Sequence, residues 1–333
     1  KKYDTQPVYL GVEYDILTRE PGGQMNTWLI TDYMRGLTKY QFICEVCNRK
    51  DWPLFFSRVY RYKNDIGAGY CLNNLRAKWN TSYWNFENDN PYYSNYTHYI
   101  GKGLASSPKE NAGYNYFAYK DAYGEFDIVS PDRFNDKMID YLKRSIELCQ
   151  KNNVQIILVT MPESGLYISC SGQYSAFTEF VMGIADQYGI PYYDFNLLAD
   201  EHFPDEEFIN LDHLTLAGAR HFTEVLCELH QDPSSHKFVR RLEELSDPGI
   251  RGVTYTMDSI DQENFLISWN VEAPAGSSCL YRIKGYSDEH ASPVYESGLL
   301  QDNHMVYKSA YGRIVVLEIY DPDGNYLGNA KFL

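Results

Sequence analysis

The stretch Phe208-Ile209-Asn210-Leu211-Asp212-His213-Leu214-Thr215-Leu216-Ala217-Gly218-Ala219 carries the residue types of a proton-transfer site. It sets an imidazole among short amide and carboxylate side chains, just before a helical pattern. A histidine so placed acts as a general base when an oxygen orients one ring nitrogen and a nucleophile lies within ~3 Å of the other. Asn210 offers a side-chain carbonyl three residues upstream, and Asp212 a carboxylate beside the ring. The competing role for His213 is a plain cap with both nitrogens satisfied. Metal ligation needs company, and His98, His202, His221, His230, His236, His290 and His304 show no ligand spacing with it.

The nucleophile is the missing half. Ser164, in Pro162-Glu163-Ser164-Gly165, falls in a loop after an apolar run but lacks the strand–elbow–helix pattern of an activated serine. Ser169 and Ser171, flanking Cys170, are weaker candidates. Cys44-Glu45-Val46-Cys47 has metal or redox spacing, yet no second Cys pair or Cys/His cluster follows at zinc-site distance. The paired glycines at 22–23, 67–69 and 101–103 lack the strand and Gly-Lys-Ser/Thr of a phosphate loop. The sequence therefore calls for no cofactor and no metal.

Bulk properties narrow the partners. The chain has 333 residues and a formal charge of −15, which argues against a nucleic-acid partner because that needs a basic footprint. Its 31 tyrosines either rim the core at the wet boundary or stack on sugars and partner surfaces. No window of 18 apolar residues exists to span a bilayer. The opening Lys1-Lys2-Tyr3-Asp4 has neither an initiator Met nor a signal-peptide core, so the start reads as a cut close to the first strand.

The elements that must position His213 follow from periodicity. Residues 7–12 read as a buried strand and 30–46 as a helix. Asp51 to Asn115 dissolves into aromatics, Asn and Gly, with little period from Trp79 to Tyr99, as in ligand- or partner-facing loops. Ser130-Pro131-Asp132 predicts a helix entry running to Lys151, with Phe134, Met138, Tyr141, Leu142, Ile146 and Cys149 inward. Val154 to Thr160 is a buried parallel strand, Tyr174 to Tyr188 a helix stopped by Gly189, Pro191 to Phe195 a strand, and Leu216 to His230 a helix. This βαβ series predicts a parallel sheet covered on both faces, with Gly11 to Asp15, Met161 to Tyr167, Asp194 to Asn196 and Asn210 to His213 meeting at its C-terminal edge. Ser234 to Ser246 reads as a charged amphipathic helix. After Pro248 the period changes to 2, and seven runs (252–257, 263–271, 278–286, 292–298, 303–309, 312–320, 325–332) predict a small β-sandwich of immunoglobulin or fibronectin type. Two domains are expected, 1–248 and 249–333.

Val154 to Leu226 resembles the C-terminal half of SGNH/GDSL-type hydrolases, nearest the extracytoplasmic bacterial branch of DltD-like and polysaccharide O-acetylation proteins. The resemblance rests on Thr160-Met161-Pro162, Tyr188-Gly189-Ile190-Pro191-Tyr192-Tyr193-Asp194-Phe195, and Asp212-His213-Leu214-Thr215 with Gly218-Ala219 and Phe222-Thr223. Val8 to Asp15, Asp32-Tyr33-Met34, Lys39, Trp52, Arg61-Tyr62 and Gly101-Lys102-Gly103 match more diffusely. The resemblance implies a three-layer α/β/α fold, with His213 as base and the residue three before it as orienter. That position is Asn210 where the branch has aspartate, so Asn210 is the favoured partner and Asp212 the other. The branch's serine block would fall before Lys1. The implied activity is ester hydrolysis or O-acyl transfer on an acylated small molecule or cell-envelope glycan, outside the cytoplasm, beside a membrane-bound acyltransferase partner; the 333 residues alone are expected to be inactive. The alternative is a catalytically silent carbohydrate-binding or assembly protein on the same scaffold.

Overall fold

The structure, a computed structural model, describes residues 6–21, 27, 31, 34–57, 60, 72–73, 75–76, 79, 98–101, 104–106, 114–120, 131–245, 249–273, 276–288 and 291–332. The chain divides into two compact units. Lys1–Val12, Lys109–Pro131 and Val154–Leu333 form the first; Glu13–Pro108 and Asp132–Asn153 form the second.

The second unit contains α1 (Tyr14–Thr18), α2 (Gly36–Val46), α3 (Trp52–Phe56), α4 (Asp136–Lys151) and the hairpin β2 (His98–Gly101) and β3 (Leu104–Ser106). The helix expected from Asp132 starts later. Pro131–Arg133 forms a single 3-10 turn, and Asn135 becomes the cap, its side chain accepting from the Lys137 amide at 3.0 Å. The Asn135 amide in turn donates to the Leu17 carbonyl at 2.7 Å, a tertiary bond that outweighs the local Ser-Pro-Asp signal. Leu142 and Ile146 are the inward residues of α4 that are fully buried. The Cys44/Cys47 pair ends α2, with Cys44 exposed and Cys47 buried. Burial pushes the Cys47 thiol up to about 11, and such a protonated thiol is a packing group rather than a thiolate ligand or nucleophile. The loops expected to wall a substrate, at 79–117, fall mostly outside the described residues.

The first unit opens with a parallel sheet in the order β1 (Val8–Gly11), β5 (Ile156–Thr160), β6 (Tyr192–Asp194). Every residue of β5 is buried, as its β-branched run requires of a central strand. Side chains alternate across it. Ile157 and Val159 pack with Phe222, Val225 and Leu229 of α7 (Leu216–Gln231), while Ile156 and Leu158 on the opposite face are equally buried. Helix α6 (Tyr174–Tyr188) ends where Gly189 adopts φ +63°, a left-handed turn that costs a glycine little.

The expected helix at 234–246 does not form. Among its described residues, 234–245, the only helical turn is Leu242–Glu244. Phe238 instead bridges Leu198, flanked by Ala199 N–Lys237 O (2.8 Å) and Val239 N–Leu197 O (3.0 Å), with its ring against Tyr193 and Phe195. Aromatic burial there overrides helix-compatible charge spacing. The boundary expected at 248 lies among residues 246–248, outside those described.

The C-terminal part carries β9 (Gly252–Ser259), β10 (Asn264–Glu272), β11 (Leu280–Tyr286), β12 (Tyr295–Glu296), β13 (His304–Lys308), β14 (Ile314–Tyr320) and β15 (Tyr326–Phe332), where the period of 2 put strands. Together with β4 (Ala118–Lys120) they form two four-stranded sheets, β13-β10-β9-β4 and β12-β11-β14-β15. Val253, Tyr255, Ile267 and Trp269 from the first share one buried cluster with Ile283, Leu317, Ile319 and Phe332 from the second. Tyr255 stacks on Phe332 at 4.2 Å. Fully burying each such large side chain contributes about 1.5–3 kcal/mol. Strand β4 (Ala118–Lys120), from far upstream, pairs parallel with β9 and makes that sheet mixed. The fold is thus mixed α/β, with a parallel sheet, a mixed sheet and an antiparallel sheet.

Candidate active site

His213 stands on a two-stranded hairpin, β7 (Phe208–Asn210) and β8 (His213–Leu214), whose turn is Leu211-Asp212 and whose register sets Asn210 opposite His213. The hairpin runs straight into α7. Thr215 caps the helix, its hydroxyl accepting from Gly218 N at 3.1 Å while its own amide donates to Glu207 O at 2.7 Å. Gly218 makes that closure possible, because a Cβ there would lie 2.4 Å from the Glu207 carbonyl and 3.0 Å from Leu214 Cδ2. Gly218→Ala is therefore expected to lower unfolding free energy by about 1–3 kcal/mol, the usual cost of overpacking. A urea midpoint equal to wild type would show that the helix entry can shift without loss.

The hairpin delivers two oxygens to one ring nitrogen. His213 Nδ1 lies 2.8 Å from Asp212 Oδ1 and 3.1 Å from Asn210 Oδ1. Both are acceptors, so Nδ1 carries the hydrogen and Nε2 holds the lone pair, which is the tautomer a general base needs. The His213 side chain is 70% exposed, and Nε2 has no protein partner among the described residues. A contact this open contributes little stability. Its effect is to orient the ring.

The three serines weighed as nucleophile are otherwise engaged. Ser164 is fully buried and caps α5 (Gly165–Cys170), its hydroxyl accepting from Tyr167 N. Ser169 donates to Glu272 and Ser171 to the Tyr167 carbonyl. What Ser164 gives the site is its backbone, since its amide donates to Leu211 O at 2.9 Å in the turn before His213.

A buried polar cluster behind this turn is not apparent from the sequence. Asp194, at the end of β6, is 2% exposed. It receives Tyr174 OH at 2.9 Å and its Asn196 amide neighbour at 3.0 Å, and lies 3.0 Å from Tyr192 OH. Burial pushes its carboxyl up to about 6, against the pull of hydrogen bonds from Tyr174, Asn196 and Tyr192. Thr160, ending β5, reaches Tyr192 OH at 2.8 Å and donates to the Val12 carbonyl at 2.7 Å. The ends of all three parallel strands are thus joined through side chains. The available signal was one carboxylate inside the apolar run Tyr192-Tyr193-Asp194-Phe195.

Among the described residues no group of three His, Cys, Asp or Glu side chains is arranged to hold a metal, and no helix is long and apolar enough to cross a membrane. Comparison with known families finds one model, of an uncharacterised family, which matches residues 79–233, less than half the chain. No curated protein and no solved structure matches significantly.

Proposed function

We propose that this chain carries the base half of an SGNH-type ester hydrolase or O-acyltransferase. The observation that carries the reading is His213, held by Nδ1 against Asp212 and Asn210 with Nε2 open. In the proposed reaction a serine nucleophile attacks the ester carbonyl, and Nε2 takes its proton. The tetrahedral intermediate expels the alcohol, protonated by the imidazolium. The acyl-enzyme then passes its acyl group to water or to a glycan hydroxyl, with Nε2 accepting that proton in turn. The parallel sheet β1-β5-β6, with its polar C-terminal ends, supports a three-layer scaffold of this kind. The seven strands at 252–332 and their shared buried cluster support an appended immunoglobulin- or fibronectin-like domain. An acylated envelope glycan as substrate, an extracytoplasmic setting and a membrane-bound acyltransferase partner belong to the same reading by analogy.

One observation favours a second reading. Position 210 is an amide, which stabilises a developing imidazolium less than a carboxylate does. On that reading the scaffold binds or assembles envelope glycans without turnover. The two separate in one experiment on the full-length protein, using a fluorophosphonate probe and O-acetylated oligosaccharides. Covalent labelling of a serine together with acetyl release or transfer supports the enzyme. Glycan binding with neither labelling nor turnover rejects it.

A further inference from the structure

The loop Met161–Ser164 runs between the buried Asp194 cluster and the hairpin of His213, and hydrogen bonds grip it from both sides. On the cluster side, Asn196 Nδ2 donates to Met161 O at 2.9 Å and Asn196 Oδ1 accepts from Glu163 N at 2.7 Å. On the other, Ser164 N donates to Leu211 O, two residues before His213. An asparagine amide has two orientations, and only one makes both of the first pair of bonds.

Tyr174 selects that orientation. Its hydroxyl owns one hydrogen, which goes to Asp194 at 2.9 Å. The Tyr174 oxygen is then an acceptor, and Asn196 Nδ2 lies 2.8 Å from it. A flipped amide would set its carbonyl against both the Tyr174 oxygen and the Met161 carbonyl, and its NH2 against the Glu163 amide. Tyr174 is 1% exposed and Asp194 2%, so water cannot repair such a mismatch. The order of donation runs one way, from Asn196 to Tyr174 to Asp194.

We infer that Asn196 is a positioning residue of the candidate site: locked by Tyr174 and Asp194, it fixes the Met161–Ser164 loop, and through the Ser164–Leu211 bond it sets where His213 stands. The chemical consequence rests on the ester-transfer reading, whereas the geometry does not. Two near-isosteric variants of the full-length protein test it. Tyr174→Phe removes the hydroxyl that orients the amide. Asn196→Asp keeps the acceptor for Glu163 N and removes the donor to Met161 and Tyr174.

Amide hydrogen exchange and the imidazole 15N resonances of His213 are the readouts that do not require turnover. In both variants the Glu163 and Ser164 amides should exchange about tenfold faster, as expected for a local opening that loses one or two buried hydrogen bonds. The His213 resonances should shift, and the Trp269 amide in β10 should keep its protection. Where turnover is measurable, kcat should fall with KM little changed. Wild-type exchange at Glu163 and Ser164 in both variants overturns the inference, and so does a loss that spreads equally to Trp269. If these amides and His213 respond but the wild-type protein acts on no acetyl ester, positioning stands and the ester-transfer reading fails.

Discussion

Replacing His213 with alanine in the full-length protein is expected to lower ester turnover by roughly 10²–10⁴-fold, the usual contribution of a general base. The unfolding midpoint should barely move, because the side chain is 70% exposed and such surface changes stay within about 0.5 kcal/mol. Two further variants divide the orienting role. Asp212 Oδ1 is the nearer acceptor, at 2.8 Å against 3.1 Å for Asn210, and it alone carries charge to meet the imidazolium formed during reaction. Asp212→Asn should therefore cost more in kcat than Asn210→Ala. Asn210→Asp should raise kcat by adding a carboxylate to the same nitrogen. Wild-type turnover in His213→Ala would falsify the mechanism. A larger loss at 210 than at 212 would transfer the orienting role to the amide, which the offset of three residues favours.

What the sequence revealed and what it hid differ in range of interaction. Helix α6 is readable because its apolar spacing and Gly189 are local, and the structure gives it the expected ends. The His213 group is readable for the same reason, since all three side chains lie within four consecutive residues. By contrast, Ala118–Lys120 is too short to show alternation, and its pairing with β9 depends on residues far downstream. The mistaken helix at 234–246 failed through Phe238, whose partners Tyr193 and Phe195 lie in another part of the chain. The Asp194 cluster was hidden on the same principle. Tyr174, Asn196 and Thr160 look like an ordinary helix residue, loop residue and strand end until the three strand termini are brought together.

That cluster also predicts an inverted pH dependence of stability. Val12 O, Thr160 Oγ1, Tyr192 OH and Asp194 Oδ2 form a row with contacts of 2.7, 2.8 and 3.0 Å. In it Thr160 donates to Val12 O and Tyr192 donates to Asp194 Oδ2, and burial is what favours the neutral acid against these bonds. Burial raises Asp194 to about 6 and Asp205, whose carboxylate accepts from Phe117 N at 3.2 Å, to about 7. A carboxyl with a raised folded pKa stabilises the fold fully below its unfolded value, and that contribution is lost as pH rises through the folded one. At ~1.4 kcal/mol per unit, the two together should remove on the order of 3–4 kcal/mol between pH 5 and pH 8. Asp232, Asp261 and Asp321 are shifted down by hydrogen bonds to their ionised forms, so they act at or below pH 4, beneath this window. The urea midpoint should accordingly be higher at pH 5 than at pH 8. Asp194→Asn replaces the titrating carboxyl with a neutral group of nearly the same shape, whose carbonyl can still accept from Tyr174, and it should flatten the Asp194 share of the slope while folding at both pH values. Asp205→Asn should flatten the remainder. A midpoint that rises from pH 5 to pH 8, or a double variant that keeps the wild-type slope, would show that these two buried carboxyls do not hold their protons in the folded state.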